Sequence, residues 1–121
     1  MVYTIKLESD YLRADLFNRE TPEESREFFD QVANLALRNR RHHILIWVHS
    51  SSALFAVERS GFFTQMRGLS ADPAHKIGLL ADTTEQGYAH DYLESLGAMH
   101  GVNVRHFADQ SSAIAWFRAS E

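Results

Sequence analysis

His42-His-Ile-Leu-Ile-Trp-Val-His-Ser-Ser-Ser52 carries the fold class of this chain. Five apolar residues in succession, Ile44 to Val48, leave no polar alternation, so a strand here has both faces covered and belongs at the centre of a sheet. Ser50-Ser51-Ser52 breaks the run. On the N-terminal side, Thr21-Pro22-Glu23-Glu24 opens a helix: the Thr hydroxyl caps free amides, Pro suits the first helical position, and Glu24 completes a capping box. That helix is expected from about Pro22 to about Arg40, with Phe28, Val32, Leu35 and Ala36 inward and Phe29 and Ala33 flanking. On the C-terminal side, a helical pattern runs from about Leu54 to about Leu69 through Phe55, Phe62, Met66 and Leu69, with Phe63 off that stripe. The central strand thus lies between two helices, as in a parallel sheet.

The same alternation of periods extends to both ends. Val2-Tyr-Thr-Ile-Lys-Leu7 and Tyr11-Leu-Arg-Ala-Asp-Leu-Phe17 alternate with period two around the polar turn Glu8-Ser9-Asp10. They are expected to form an antiparallel hairpin, with Ile5, Leu7, Leu12, Ala14 and Leu16 inward and Lys6, Arg13 and Asp15 on a wet face. Beyond Asp72-Pro73, Lys76-Ile-Gly-Leu-Leu-Ala81 reads as a second buried strand. Asp82-Thr83-Thr84-Glu85 leads into a helix through Tyr88, Tyr92, Leu93 and Leu96 that ends near Gly101. Val102-Asn-Val-Arg-His-Phe107 alternates like a strand nearer the edge, and Asp109 caps a last helix carrying Ile114, Trp116 and Phe117. The expected fold is α/β: a single domain over 1–121, with a mixed, mostly parallel sheet, an N-terminal antiparallel hairpin and about four helices.

Composition narrows the function classes. Lys plus Arg number 12 against 16 Asp plus Glu, a formal net charge of −4, so phosphate-backbone attraction has no global support and no nucleic acid partner is expected. The absence of Cys rules out disulfides, thiolate zinc sites and Cys nucleophiles. No apolar stretch is long enough to span a bilayer, and the expected compartment is the cytoplasm. The basic run Arg38-Asn-Arg-Arg-His-His43 has two readings, complementing a helix dipole at its C-terminus or forming an anion patch.

Gly101-Val-Asn-Val-Arg-His-Phe-Ala-Asp-Gln-Ser-Ser-Ala-Ile-Ala-Trp-Phe117 pairs an edge strand ending in an aromatic and an Asp with a short helix. With the order of elements, it resembles the STAS/SpoIIAA-like superfamily, which shares its architecture with the lipid-binding CRAL-TRIO fold. The resemblance implies a compact single domain that acts through protein contacts or a small ligand, without catalysis. In the anti-sigma-antagonist branch, a Ser at the start of the helix after the central strand is phosphorylated in an Asp-Ser-Ser-Gly-like context. Ser51 and Ser52 occupy that place without the flanking Asp and Gly, while Ser60-Gly61 has the Gly further downstream. These three are the candidate phosphorylation positions the resemblance implies. The alternative for the Ser run is a cap and turn.

In an open parallel sheet, ligands gather at the carboxyl ends of the strands. That rule brings Asn18 to Glu20, His49 to Ser52, Asp82 to Thr84 and Asp109 to one rim. His49, a Ser and Asp82 there have the residue types of a hydrolytic triad, but no Gly-x-Ser-x-Gly elbow is present, and Asp82 and Thr83 also read as a helix cap. Seven His residues lack metal-ligand spacing, so surface histidines are expected, with no metal and no cofactor. The segment around Phe55, Phe62, Phe63 and Met66 is too rich in large apolar groups for one narrow stripe. It reads either as an accessible contact surface or as a thick core stripe. The expected function is a non-enzymatic regulatory module recognising a protein partner, a second copy or a small apolar ligand through His49, Ser50, Ser51, Ser52, Phe55, Phe62, Phe63, Met66, Asp82 and Thr83. The alternatives are a CRAL-TRIO-type carrier and a small hydrolase using His49, a Ser and Asp82.

Overall fold

The computed structural model describes residues 2–51 and 56–119, with the side chains of 56–60 and 85 outside that description. Among the described residues it is a single small α/β domain. Its elements are β1 (Val2–Leu7), β2 (Leu12–Phe17), α1 (Pro22–Arg38), β3 (His43–His49), α2 (Ala56–Ser70), β4 (Lys76–Ala81), α3 (Thr84–His100), β5 (Val104–His106) and α4 (Gln110–Arg118). The five strands stand in chain order, β1-β2-β3-β4-β5. β1 pairs antiparallel with β2, and all later pairs are parallel. β3 is therefore the central strand, as its continuous apolar run requires.

The order of strands decides where the helices go. Each parallel step moves the same way across the sheet, and right-handed crossovers then place every connection on the same face. α1, α2 and α3 accordingly share one core with that face, built from Leu12, Leu16, Ile44, Ile46, Ile77 and Leu79 of the strands and Phe28, Val32, Phe62, Met66 and Leu93 of the helices. Among the described residues only α4 reaches the second face, where Ala113 and Phe117 meet Tyr11, Leu45 and Leu80. Gly78 lies directly under this contact, where an added Cβ would meet Phe117, Ala113 and Leu45 at ordinary van der Waals distance.

Capping chemistry sets the helix starts. Thr21 Oγ1 accepts from the Glu24 amide at 3.2 Å, and Glu24 Oε1 accepts from the amides of Thr21 at 3.2 Å and Glu20 at 2.7 Å. The Glu20 amide is the main reason the Glu24 carboxyl titrates below its ordinary value. α3 ends at Gly101, whose φ of 71° suits glycine. Gly97 is required by contact rather than conformation, because a Cβ there would lie 2.6 Å from the Val102 carbonyl oxygen.

Several expectations are corrected. α1 stops at Arg38. β5 shortens to three residues because the Val102 amide bonds the Gly97 carbonyl instead of joining the strand. Leu7 is 49% exposed, at the end of the edge strand β1. Asp15 is buried rather than wet, as the site below explains. His75 and His90 are buried, unlike the surface histidines expected. The His75 Nδ1 faces the Asp72 carbonyl at 2.6 Å and its Nε2 accepts from the Asn103 amide at 2.7 Å, so this ring staples two loops. In the basic run, Arg41 donates to the Glu8 carbonyl and to that of Asn39, securing the hairpin turn to the end of α1.

Phe62, Phe63 and Met66 are core residues, not accessible contact groups. The reason is that α2 packs against both α1 and α3, so it needs apolar groups on two sides. Phe62 meets Phe29 of α1 edge to face at 5.2 Å, and Phe63 stacks on His100 of α3 at 4.2 Å. Truncating Phe62 to Ala should cost about 3–5 kcal/mol through lost burial and a cavity. Met99→Ala, on an exposed position of α3, should stay within about 0.5 kcal/mol of the parent. Urea unfolding of both variants checks this contrast, and equal stability of the two would contradict the packing.

Candidate functional site

Register and period two assemble the site. In the β2–β3 pair, Asp15 stands beside Trp47 and Phe17 beside His49. Because alternate residues share a face, Arg13, Asp15, Phe17, Trp47 and His49 all stand on the second face, with α4. α4 begins at Gln110, whose Oε1 accepts from Arg13 at 3.3 Å, and runs toward Asp10 and Lys76 at the opposite end of the sheet. Among the described residues no helix covers the carboxyl-end half of that face. Its own side chains close it instead.

His49 is the centre of this arrangement. Its Nε2 lies 2.9 Å from Asp15 Oδ1 and its Nδ1 lies 2.8 Å from Asp82 Oδ2. Asp82 also accepts from the Trp47 indole at 2.8 Å, and Asp15 from Arg13 Nε at 3.0 Å. The hydrogen bond to Asp15 raises the Arg13 guanidinium above its ordinary value. The imidazole is sandwiched between Phe17, 4.4 Å away at an interplanar angle of 9°, and Trp47, 4.9 Å away at 23°. Arg13 continues the column over Trp47, 5.4 Å from the ring centroid. Both ring nitrogens are thus engaged by carboxylate oxygens.

That geometry bears on chemistry. A general base needs a ring nitrogen within reach of the proton it removes, and both nitrogens of His49 face carboxylates. Ser51 Oγ donates to the His49 backbone carbonyl at 2.9 Å and accepts from the Arg19 amide at 3.0 Å, so it is not in hydrogen-bond sequence with the ring. Ser50 is exposed, with φ of 46° in the left-handed region. Ser52 and Phe55 lie outside the described residues, as does the side chain of Ser60. Thr83 is the N-cap of α3, its Oγ1 accepting from the Gln86 amide at 3.1 Å, whereas Asp82 turns back to His49 and Trp47. Asp109 caps α4 through the Ser112 amide at 2.8 Å, the main reason its carboxyl titrates low, and takes no part in the rim.

The rim gathers these residues without a topological switch point. The strand order never reverses, so neighbouring crossovers do not diverge to opposite faces. The ends of β2 and β3 bond directly, the Asn18 amide donating to the His49 carbonyl at 3.3 Å, and Gln86 Nε2 in the first turn of α3 donates to the Ser51 carbonyl at 3.1 Å. Beneath this rim, on the side of α3, Arg19, Gln86 and His90 are buried. Burial, and then the nearby charge of Arg19, push His90 down to about 3, so its ring is neutral.

Comparison with known proteins finds no family model that matches the chain and no curated protein that matches it at a significant level.

Arg13, Asp15, Phe17 and Trp47 are site members that the sequence reading did not select. Their signal was the shared parity of outward positions on two neighbouring strands, which becomes usable once register is known.

His90 carries a pH prediction. Between its ordinary value of 6.5 and about 3, the unfolded chain binds a proton that the folded chain does not. Stability therefore falls as pH drops below 6.5. From pH 7 to 5 this group alone should remove about 2 kcal/mol. His90→Gln should lose correspondingly less over that interval in urea titrations, and an identical pH slope would contradict the buried neutral ring.

Proposed function

We propose that this chain is a non-enzymatic binding module of the STAS/SpoIIAA-like kind, regulatory and cytoplasmic, that recognises a protein partner through the carboxyl-end half of its second sheet face. The observation that carries this reading is the cross-braced set of Arg13, Asp15, His49, Asp82 and Trp47. Asp15 is buried beneath the others, which are half-buried or exposed, yet each side chain is already held by another. Trp, Arg and aromatic residues dominate binding hot spots, and side chains ordered beforehand lose little entropy on association. The left-handed backbone of Ser50 at the edge of this face adds a strained element of the type found at functional sites.

The same geometry gives little support to the other two readings. A carrier needs an apolar cavity behind Phe62, but Phe62 and Met66 expose no surface to a water-sized group from any side. A hydrolase needs a free imidazole nitrogen beside a hydroxyl, and His49 offers neither nitrogen. Family membership rests on the order of elements and on the stretch from Gly101 to Phe117.

Affinity isolation from an extract of the source organism tests the proposal, with the wild-type chain and Asp82→Lys as baits. Asp82 is an exposed position, so the variant should keep the parent's circular dichroism. The expected result is a protein, or a second copy of the chain, retained by the wild type and reduced at least about tenfold by the variant. Equal retention of the same proteins by both baits, or a lipid-sized adduct on the wild type, would overturn the reading.

A further inference from the structure

β5 is the edge of the sheet, only three residues long, and its last residue meets α3. His106 stands on the same face as Val104, which packs in the core beneath the helices. Across from it, Asp91 and Glu94 are three apart on α3 and so project side by side. His106 Nδ1 lies 3.6 Å from Asp91 Oδ1 and 3.6 Å from Glu94 Oε1. The three potential ligand atoms all fall within 4.8 Å of one another.

Two features separate this trio from an ordinary surface ion pair. His106 Nδ1 is itself buried and has no hydrogen-bond partner among the described residues, since 3.6 Å is too long for one. A buried ring nitrogen facing two acceptors at that distance is left unsatisfied in the metal-free arrangement. Glu94 Oε1 is meanwhile held in place by the His106 backbone amide at 2.8 Å, which orients the carboxylate and the ring together. Support of this kind around a donor set is what a metal site requires.

The spacing selects the class of ion. Ligands on a tetrahedral ion with bonds near 2.0–2.1 Å stand about 3.4 Å apart. Adjacent ligands around an octahedral magnesium stand about 3.0 Å apart. The observed 3.6 Å is closer to the tetrahedral case, and an imidazole nitrogen suits zinc better than magnesium or calcium. We propose that Asp91, Glu94 and His106 form a divalent-cation site of the zinc class, which fastens the edge strand β5 to α3 and leaves one tetrahedral corner for water.

The test uses the chelator-treated full chain titrated with zinc chloride by calorimetry, alongside Asp91→Asn, Glu94→Gln and His42→Ala. Asp91 is an exposed residue, so its variant keeps the fold even if Glu94→Gln proves less stable. The expected result is one zinc per chain, with affinity reduced at least about tenfold in Asp91→Asn and unchanged in His42→Ala. In nitrogen-edited spectra, zinc should shift Nδ1 of His106 rather than its Nε2. Absence of saturable zinc binding, or equal binding by Asp91→Asn and the parent, would overturn the site and leave the trio as a metal-free ion pair.

Discussion

One constraint governs this molecule: four parallel strands laid down in chain order, joined by right-handed crossovers, send all three connecting helices to a single face of the sheet. A central strand such as β3, with Ile44, Leu45, Ile46 and Val48 buried, needs cover on both sides. Among the described residues the only helix on the second face is the nine-residue α4, which packs on Tyr11, Leu45 and Leu80. What stands beyond the start of α4 has to satisfy itself. Phe17, Trp47, His49, Asp15 and Arg13 are on that half of the sheet, and their mutual bonding follows from it.

The arrangement of these residues has an energetic logic. Asp15 is buried, and an unpaired carboxylate there would be costly. Arg13 donates to it and His49 Nε2 lies 2.9 Å from it, while Asp82 at the end of β4 faces the other ring nitrogen and accepts from the indole of Trp47. Residues from three adjacent strand ends are thereby tied across the sheet, adding side-chain bonds to the backbone ladder. Stacking of Phe17 and Trp47 on the two faces of the imidazole removes its remaining freedom. A surface that is ordered and aromatic is well suited to a macromolecular partner.

Much of the fold was legible in the sequence because local rules agreed with the global one. The run from Ile44 to Val48, the Thr21-Pro22 capping box and the boundaries of β4 each follow from periodicity and cap chemistry that no tertiary contact overrides. The site was legible only in part. His49 and Asp82 were placed on one rim because strand ends can be located by pattern. Asp15 and Trp47 were not joined to them, because register across β2 and β3 is a non-local property that alternation alone does not fix. Phe62 and Phe63 admitted two readings for a related reason: a helix packed on two neighbours has a wide apolar face, and a sequence shows that width without showing the neighbours. Likewise, nothing in the spacing of Asp91 and Glu94 points to His106, which arrives through the chain reversal at Gly101.

Hydroxyl-radical footprinting tests the central claim most directly, comparing the chain alone with the chain in an extract of its source organism. The account predicts that labelling falls at Phe17 and Trp47 in the extract, while Tyr88 and Met99, exposed on the outer side of α3, are labelled as before. Protection of Tyr88 and Met99 with undiminished labelling of Trp47 would contradict it, and would move the recognition surface to the helical face.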